Sequence, residues 1–438
     1  MILCALLMLA SPAASTEAEA AEARKELSAG QIKARIRKYR TAEVVLTVTD
    51  ADGKPLADTA VTVRQVRHKF LFGANAFRVA QRDDSKQQAE YQRRFVELLN
   101  YATLPFYWGG YERTEGRMRE TQLRAAAEWC KAGGIRVKGH PLCWHNVVPQ
   151  WLGAKKPEQV LPLQLARIER EVKAFAGLID TWDVVNEAVA MPAAKRNPIA
   201  AVCARIGRVE LVKQTFAIAR KSNPGAMLIL NDYVTSREYE KLIEDCLDAG
   251  VEIDAIGIQS HMHKGYFGAK AAWDTCRRFA KFGKPLHFTE LTILSGKLKT
   301  DNDWFTRRTD WDTTLEGEQR QAEQAAELYT VLFSHPAVEA ITWWDFTDLN
   351  AWQGAPAGLL RRDMSPKPAY EALRRLIKGK WWTGELKLKT DAAGSVKFRG
   401  FLGDYEVESS AGAGKFSIAQ AGLAEVSVKL AAAKSQNK

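Results

Sequence analysis

Between residues 67 and 380, short apolar runs of β character alternate with amphipathic stretches. The β runs are "KFLFGANAF", "YATLPF", "RVKGHPLCWH", "TWDVVNE", "MLILNDY", "AIGIQSHMH", "PLHFTEL" and "AITWWDFTD". Segments such as "SKQQAEYQRRFVELL", "RVELVKQTFAIARKS" and "GEQRQAEQAAELYTVLF" lie between them and carry helical periodicity. Apolar strands that each lead into a helix predict an α/β fold, a (β/α)8 TIM barrel over 67–380. The competing arrangement is a doubly wound open sheet. It would usually place a Gly-rich phosphate turn after its first strand, and "FGANAF" carries none.

The flanks follow a different rhythm. "EVVLTVTDADGKPLADTAVTVRQV" reads as two alternating strands around an Asp-Gly turn, inside an N-terminal β segment spanning 17–66. Beyond "PKPAYEALRRLI", the segment 383–438 offers "GELKLKT", "GSVKFRGF", "DYEVESS", "KFSIAQ" and "EVSVKL". These strands are expected to join residues 41–66 in one small all-β sandwich, an accessory domain built from both flanks.

Residues 1–16, "MILCALLMLASPAAST", have the apolar centre and small-residue tail of a signal peptide, without the usual basic start. Export to a secreted or periplasmic location is the expectation, and a buried N-terminal helix is the alternative. No other stretch approaches the ~20 apolar residues of a membrane span. Net charge is +11, part of it in "ARKELSAGQIKARIRKYR". The charge there has no interleaved aromatics, which reads as a solvated face rather than a nucleic-acid stripe. The six cysteines show no Cys-x-x-Cys spacing, so buried free thiols are expected.

Active-site residues of such a barrel come from the C-terminal ends of its strands. Strand three ends in His140, Trp144 and His145, strand four in Asn186 and Glu187, and strand five in Asn231, Asp232 and Tyr233. Strand six ends in Gln259, His261 and His263, strand seven in Glu290, and strand eight in Trp344 followed by Trp352. Two Glu on one rim, among Trp rings and amide or imidazole donors, suit glycoside hydrolysis. One carboxyl must stay protonated to protonate the leaving oxygen, and the other must be ionised. Trp faces stack on sugar rings while Asn, Gln and His bond their hydroxyls.

The chain resembles glycoside hydrolase family 10, the endo-β-1,4-xylanase family, across the whole barrel. The motifs occur in order: "GHPLCWHNVVPQWL", "WDVVNEA", "LILNDY", "IGIQSHMH", "HFTEL" and "ITWWDFTDLNAW" with "SPKPAY". The resemblance implies Glu187 as acid/base and Glu290 as nucleophile, with retention of anomeric configuration. Asn186 would bond the sugar 2-hydroxyl, and His261 and Gln259 would hold Glu290 and that sugar. His140 and Trp144 would line the same subsite, Trp344 and Trp352 would wall it, and Tyr233 would face the leaving group. His145 is carried as a further substrate-binding candidate.

The expected partner is a xylan-type polysaccharide. No metal or other cofactor and no nucleic acid are expected, and the chain is expected to be a monomer. There is one departure from the family. Its Glu-Asn-x-x-Lys-Trp segment, which bonds the next sugar toward the non-reducing end, aligns on Trp108 with "TLPFYW". Thr103, Leu104 and Tyr107 therefore occupy the polar positions.

Other readings stay open at this level. His261-x-His263 with Glu290 and His140 imitates a metal site, as in a metal-dependent barrel hydrolase. A silent carbohydrate-binding barrel would not need both carboxylates, and another β-linked polysaccharide would use the same fold. Trp304 and Trp311, in the long segment after strand seven, suit either an added sugar platform or packing of that loop on the barrel.

Overall fold

The computed structural model describes residues 25–81, 85–194 and 197–431; the expected signal peptide lies outside them. Eight parallel strands close the barrel: β3 (Leu71–Asn75), β4 (Tyr101–Pro105), β5 (Arg136–His140), β6 (Thr181–Asn186), β7 (Met227–Asp232), β8 (Ala255–Ile258), β10 (Leu286–Ile293) and β11 (Val338–Trp343). β11 pairs with both β10 and β3, which completes the cylinder. A two-residue strand, β9 (His261–Met262), continues the line of β8 beside β10. Helices separate consecutive strands, among them Lys86–Leu98, Glu120–Ala132, Pro157–Ala174, Arg208–Ser222, Arg237–Asp248, Gly268–Ala280 and Leu315–Ser334. Each barrel strand is covered on both faces, so the strands read as near-continuous apolar runs; all eight residues of β10 are buried.

The flanks supply two further sheets. β1 (Thr41–Thr49) lies between β13 (Ser395–Phe401) and β16 (Gly422–Lys429). β2 (Ala60–His68) lies between β12 (Leu386–Lys389) and β14 (Gly403–Ser409), with β15 (Gly412–Ile418) outside β14. Val44, Leu46, Val63, Tyr405, Val407 and Ile418 form their shared core. Within the segment read as β, residues Ala29–Arg40 are instead helical. Ile36 packs on the barrel core there, at helical rather than alternating spacing from Ile32. Nor is this basic helix only a solvated face: the Arg35 guanidinium lies 4.2 Å over the Trp273 ring, and Arg40 is buried.

The sandwich meets the barrel at the N-terminal end of its strands. Trp381 stacks on Phe333 at 4.3 Å, and its carbonyl lies 3.1 Å from His68 Nε2. Arg40 donates to the carbonyls of Phe333 (2.7 Å), His335 (2.5 Å) and Val338 (2.7 Å). Burial lowers the Arg40 pKa to about 10 and, with Arg40 adjacent, that of His68 to about 3. Cys130, Cys143, Cys203, Cys246 and Cys276 are free and buried.

Candidate active site

The two glutamates stand on one rim, joined by amides. Glu187 follows β6 at a positive φ of 57°, a strained setting for a side chain with a Cβ. Its backbone N–H is held by the Asn231 carbonyl at 2.8 Å, which fixes that conformation from outside. Trp144 Nε1 donates to Glu187 Oε2 at 2.8 Å, and Gln259 Nε2 donates to Oε1 at 3.2 Å. Asn186 Nδ2 approaches the same oxygen at 3.4 Å. Asn231 Nδ2 then reaches Asn186 Oδ1 at 2.7 Å and Glu290 Oε1 at 2.9 Å, so two amides span from one carboxyl to the other.

Their electrostatic settings diverge. Burial drives the Glu187 pKa up to about 8, and Asp232 and Glu290 push the same way against the Trp144 and Gln259 hydrogen bonds. Burial also opposes ionisation of Glu290, but His140, His261 and Lys138 overcome it and hold the pKa below the usual carboxylate range. His261 Nε2 is 3.1 Å from Glu290 Oε2, and His140 Nε2 is 3.9 Å from Oε1. Behind His140, Asp183 Oδ2 lies 2.7 Å from its Nδ1 and 2.6 Å from Lys138 Nζ. Lys138 and Asp183 are fully buried, so a chain of charge runs from the barrel interior to the nucleophile. Glycine at 139 is required here, since a Cβ would meet the Trp182 ring at 2.1 Å.

The other rim residues divide by position. Trp344 is buried against His140 (5.5 Å) and His261 (6.2 Å). Trp352 is 36% exposed and lies 4.8 Å from His261, as a wall open on one side. Tyr233 is 45% exposed, beyond Asp232 and outside the amide bridge. His145 Nε2 stands 4.0 Å from Glu187 Oε2, and burial lowers its pKa to about 4. Gln259 serves both glutamates by different groups: its side-chain amide donates to Glu187 and Asn186, and its backbone carbonyl accepts from the Glu290 N–H at 3.0 Å. His263 turns away from His261's partner Glu290 toward Trp304 and Trp352, at 5.5 and 5.1 Å. Among the described residues, no group of three or more His, Cys, Asp or Glu is placed to hold a metal ion.

Of the loop tryptophans, Trp311 is buried with Leu294, Ala355 and Ala357. Trp304 stacks on Trp352 at 5.9 Å and so buttresses the wall.

Asp183, Lys138 and Thr292 escaped the sequence reading, and Asn231 and Asp232 were placed on the rim without a role. Asn231 bonds the nucleophile, Asp183 and Lys138 brace His140, and Thr292 Oγ1 fixes His261 Nδ1 at 3.0 Å. Asp232 accepts the Val189 and Val234 backbone N–H groups at 3.0 and 2.9 Å and clamps the segment after Glu187. The available signal was a charged residue inside an apolar strand, as in "VKGH" and "TWDVV".

A parallel barrel whose rim holds one protonated and one ionised glutamate, walled by tryptophan, defines a glycoside hydrolase of the two-carboxylate type. The profile of glycosyl hydrolase family 10 matches residues 63–376, and the chain belongs to that family. It is 29% identical over 314 residues to endo-1,4-beta-xylanase B of Thermotoga neapolitana, covering 68% of this chain and 85% of that protein. The anti-sigma-I factor RsgI6 of Acetivibrio thermocellus is 26% identical over 401 residues, 88% of this chain. This chain spans just under half of that protein, 47%. Among solved structures, xylanase 10B from Thermotoga petrophila RKU-1 in complex with xylobiose aligns at a TM-score of 0.60 and 25% identity, over 72% of this chain and 95% of that one.

Proposed function

We propose that the protein is a retaining endo-β-1,4-xylanase acting on xylan or a substituted xylan, exported and working as a monomer. The observation that carries the reading is the opposed poise of the two carboxyls. Glu290, held ionised, attacks the anomeric carbon and forms a glycosyl-enzyme. Glu187, protonated at neutral pH, gives its proton to the departing oxygen and later takes one from the water that resolves the intermediate. Trp344 and Trp352 offer ring faces to the retained sugar, and the Asn186 amide stands beside its 2-hydroxyl position. The apolar stretch at residues 1–16 supports export, and the named relatives' xylanase activity supports the substrate.

Glu290→Ala is expected to lower kcat on xylan by about 10⁴-fold or more, with an unchanged circular-dichroism spectrum. An active Glu290→Ala protein overturns the assignment. A polysaccharide panel of plain xylan, glucuronoxylan, arabinoxylan and mixed-linkage glucan, with NMR of the first anomer released, tests substrate and stereochemistry together.

A further inference from the structure

Four rings beside the nucleophile form a closed cycle. Phe77–Tyr107, Tyr107–His140, His140–Trp344 and Trp344–Phe77 lie 5.8, 5.5, 5.5 and 5.2 Å apart, all edge-to-face with interplanar angles of 73–89°. The members come from four places on the rim: Phe77 follows β3, Tyr107 follows β4, His140 ends β5 and Trp344 follows β11. Trp144 closes on Tyr107 from the other side at 5.6 Å.

Because His140 also faces Glu290, a sugar attacked by Glu290 rests against this cycle. The family resemblance places the next sugar toward the non-reducing end beside the segment that carries Tyr107. The segment "TLPFYW" delivers no charged or amide group there. Thr103 is buried in the barrel with its hydroxyl unbonded, and Leu104 belongs to the core. Trp108 turns inward, donating from Nε1 to Glu112 Oε2 at 3.0 Å. Tyr107 alone reaches the wall, and it brings a ring and a single neutral hydroxyl.

We propose that this aromatic cycle, closed by Tyr107, is the specificity element of the non-reducing side. It meets the second sugar there mainly by ring contact, with no charged or amide donor, makes that subsite weak, and leaves the leaving-group side to choose where the chain is cut. The inference rests on the xylanase reading above. A pocket of apolar fit discriminates by roughly 10–200-fold, whereas a site built to hydrogen-bond a hydroxyl reaches ~10⁴. Replacing such a site by rings therefore lowers what the second sugar can contribute to rate.

The test compares an aryl β-xyloside with the matching aryl β-xylobioside. The wild-type ratio of kcat/KM, disaccharide over monosaccharide, is expected no higher than about 200, the ceiling of apolar fit. Tyr107→Lys returns a charged donor to the wall and is expected to raise that ratio at least about tenfold. Phe77→Ala, which opens the cycle without adding a donor, is expected to lower it. Calorimetry on each variant confirms folding, and the ratio itself cancels a loss that affects both substrates equally. A wild-type ratio above about 200, or a folded Tyr107→Lys protein with an unmoved ratio, overturns the inference. If neither glycoside is cleaved, the xylanase reading fails and the inference falls with it.

Discussion

Arg40 at the seam and Glu187 at the rim are both ionisable groups drawn out of water, yet their surroundings put them to opposite uses. Arg40 remains a cation, its Nε and Nη2 donating to three carbonyls, and it ties the sandwich to the barrel. Glu187 has two good donors and two neighbouring carboxylates, so burial wins and the group keeps its proton to about pH 8. Pairing with acceptors turns desolvation into cohesion, and burial beside like charge turns it into reactivity.

The comparison breaks most visibly at Glu187. Glu187→Ala is expected to lower kcat on xylan by about 10³–10⁴-fold, while an aryl glycoside with a good leaving group loses far less, because it needs little protonation. Equal loss on both substrates in steady-state kinetics would contradict the acid role. At the seam, Arg40→Met strands three carbonyls and is expected to cost about 2–4 kcal/mol of stability, read by urea unfolding. Its kcat on the aryl glycoside at 25 °C should stay within about twofold, since the substitution lies at the opposite end of the barrel.

The pH profile sharpens the contrast. Activity on xylan should fall as pH rises through about 8, when Glu187 ionises, and on the acid side only below the ordinary carboxylate range, when Glu290 takes up a proton. Trp144→Phe removes a hydrogen bond that favours the charged form of Glu187, so the alkaline limb should move higher. The smallest effect concerns stability. A Glu with a raised folded pKa is favoured at low pH, and its contribution is lost as pH climbs from about 4.3 toward 8. Glu187→Gln should therefore raise Tm by about 1–3 °C at pH 9 and by less at pH 4.

The barrel was legible because its strands are apolar on both faces and its helices on one, a contrast that survives in "MLILNDY" beside "RVELVKQTFAIARKS". The glutamates were legible as polar residues where apolar runs stop. What lay hidden was the partnering. Nothing in "TWDVVNE" says that Asp183 turns inward to Lys138 and His140 while Glu187 turns to Trp144, because alternation assigns a face but not a neighbour across the barrel. The helical character of Ala29–Arg40 was legible, but its packing was masked by its charge, which suggested solvent although Arg35 and Arg40 lie against the barrel.

The sandwich has a consequence in time. β1 and β2 are interior strands of their sheets, and every strand that pairs with them comes from residues 386–429. A ribosome therefore releases "EVVLTVT" and "AVTVRQV" some 300 residues before either can be zipped. For that interval two apolar strands stand with open edges while the barrel folds between them. Synthesis rate and chaperone supply therefore join the final stability of the sandwich in setting how much of this protein a cell recovers soluble.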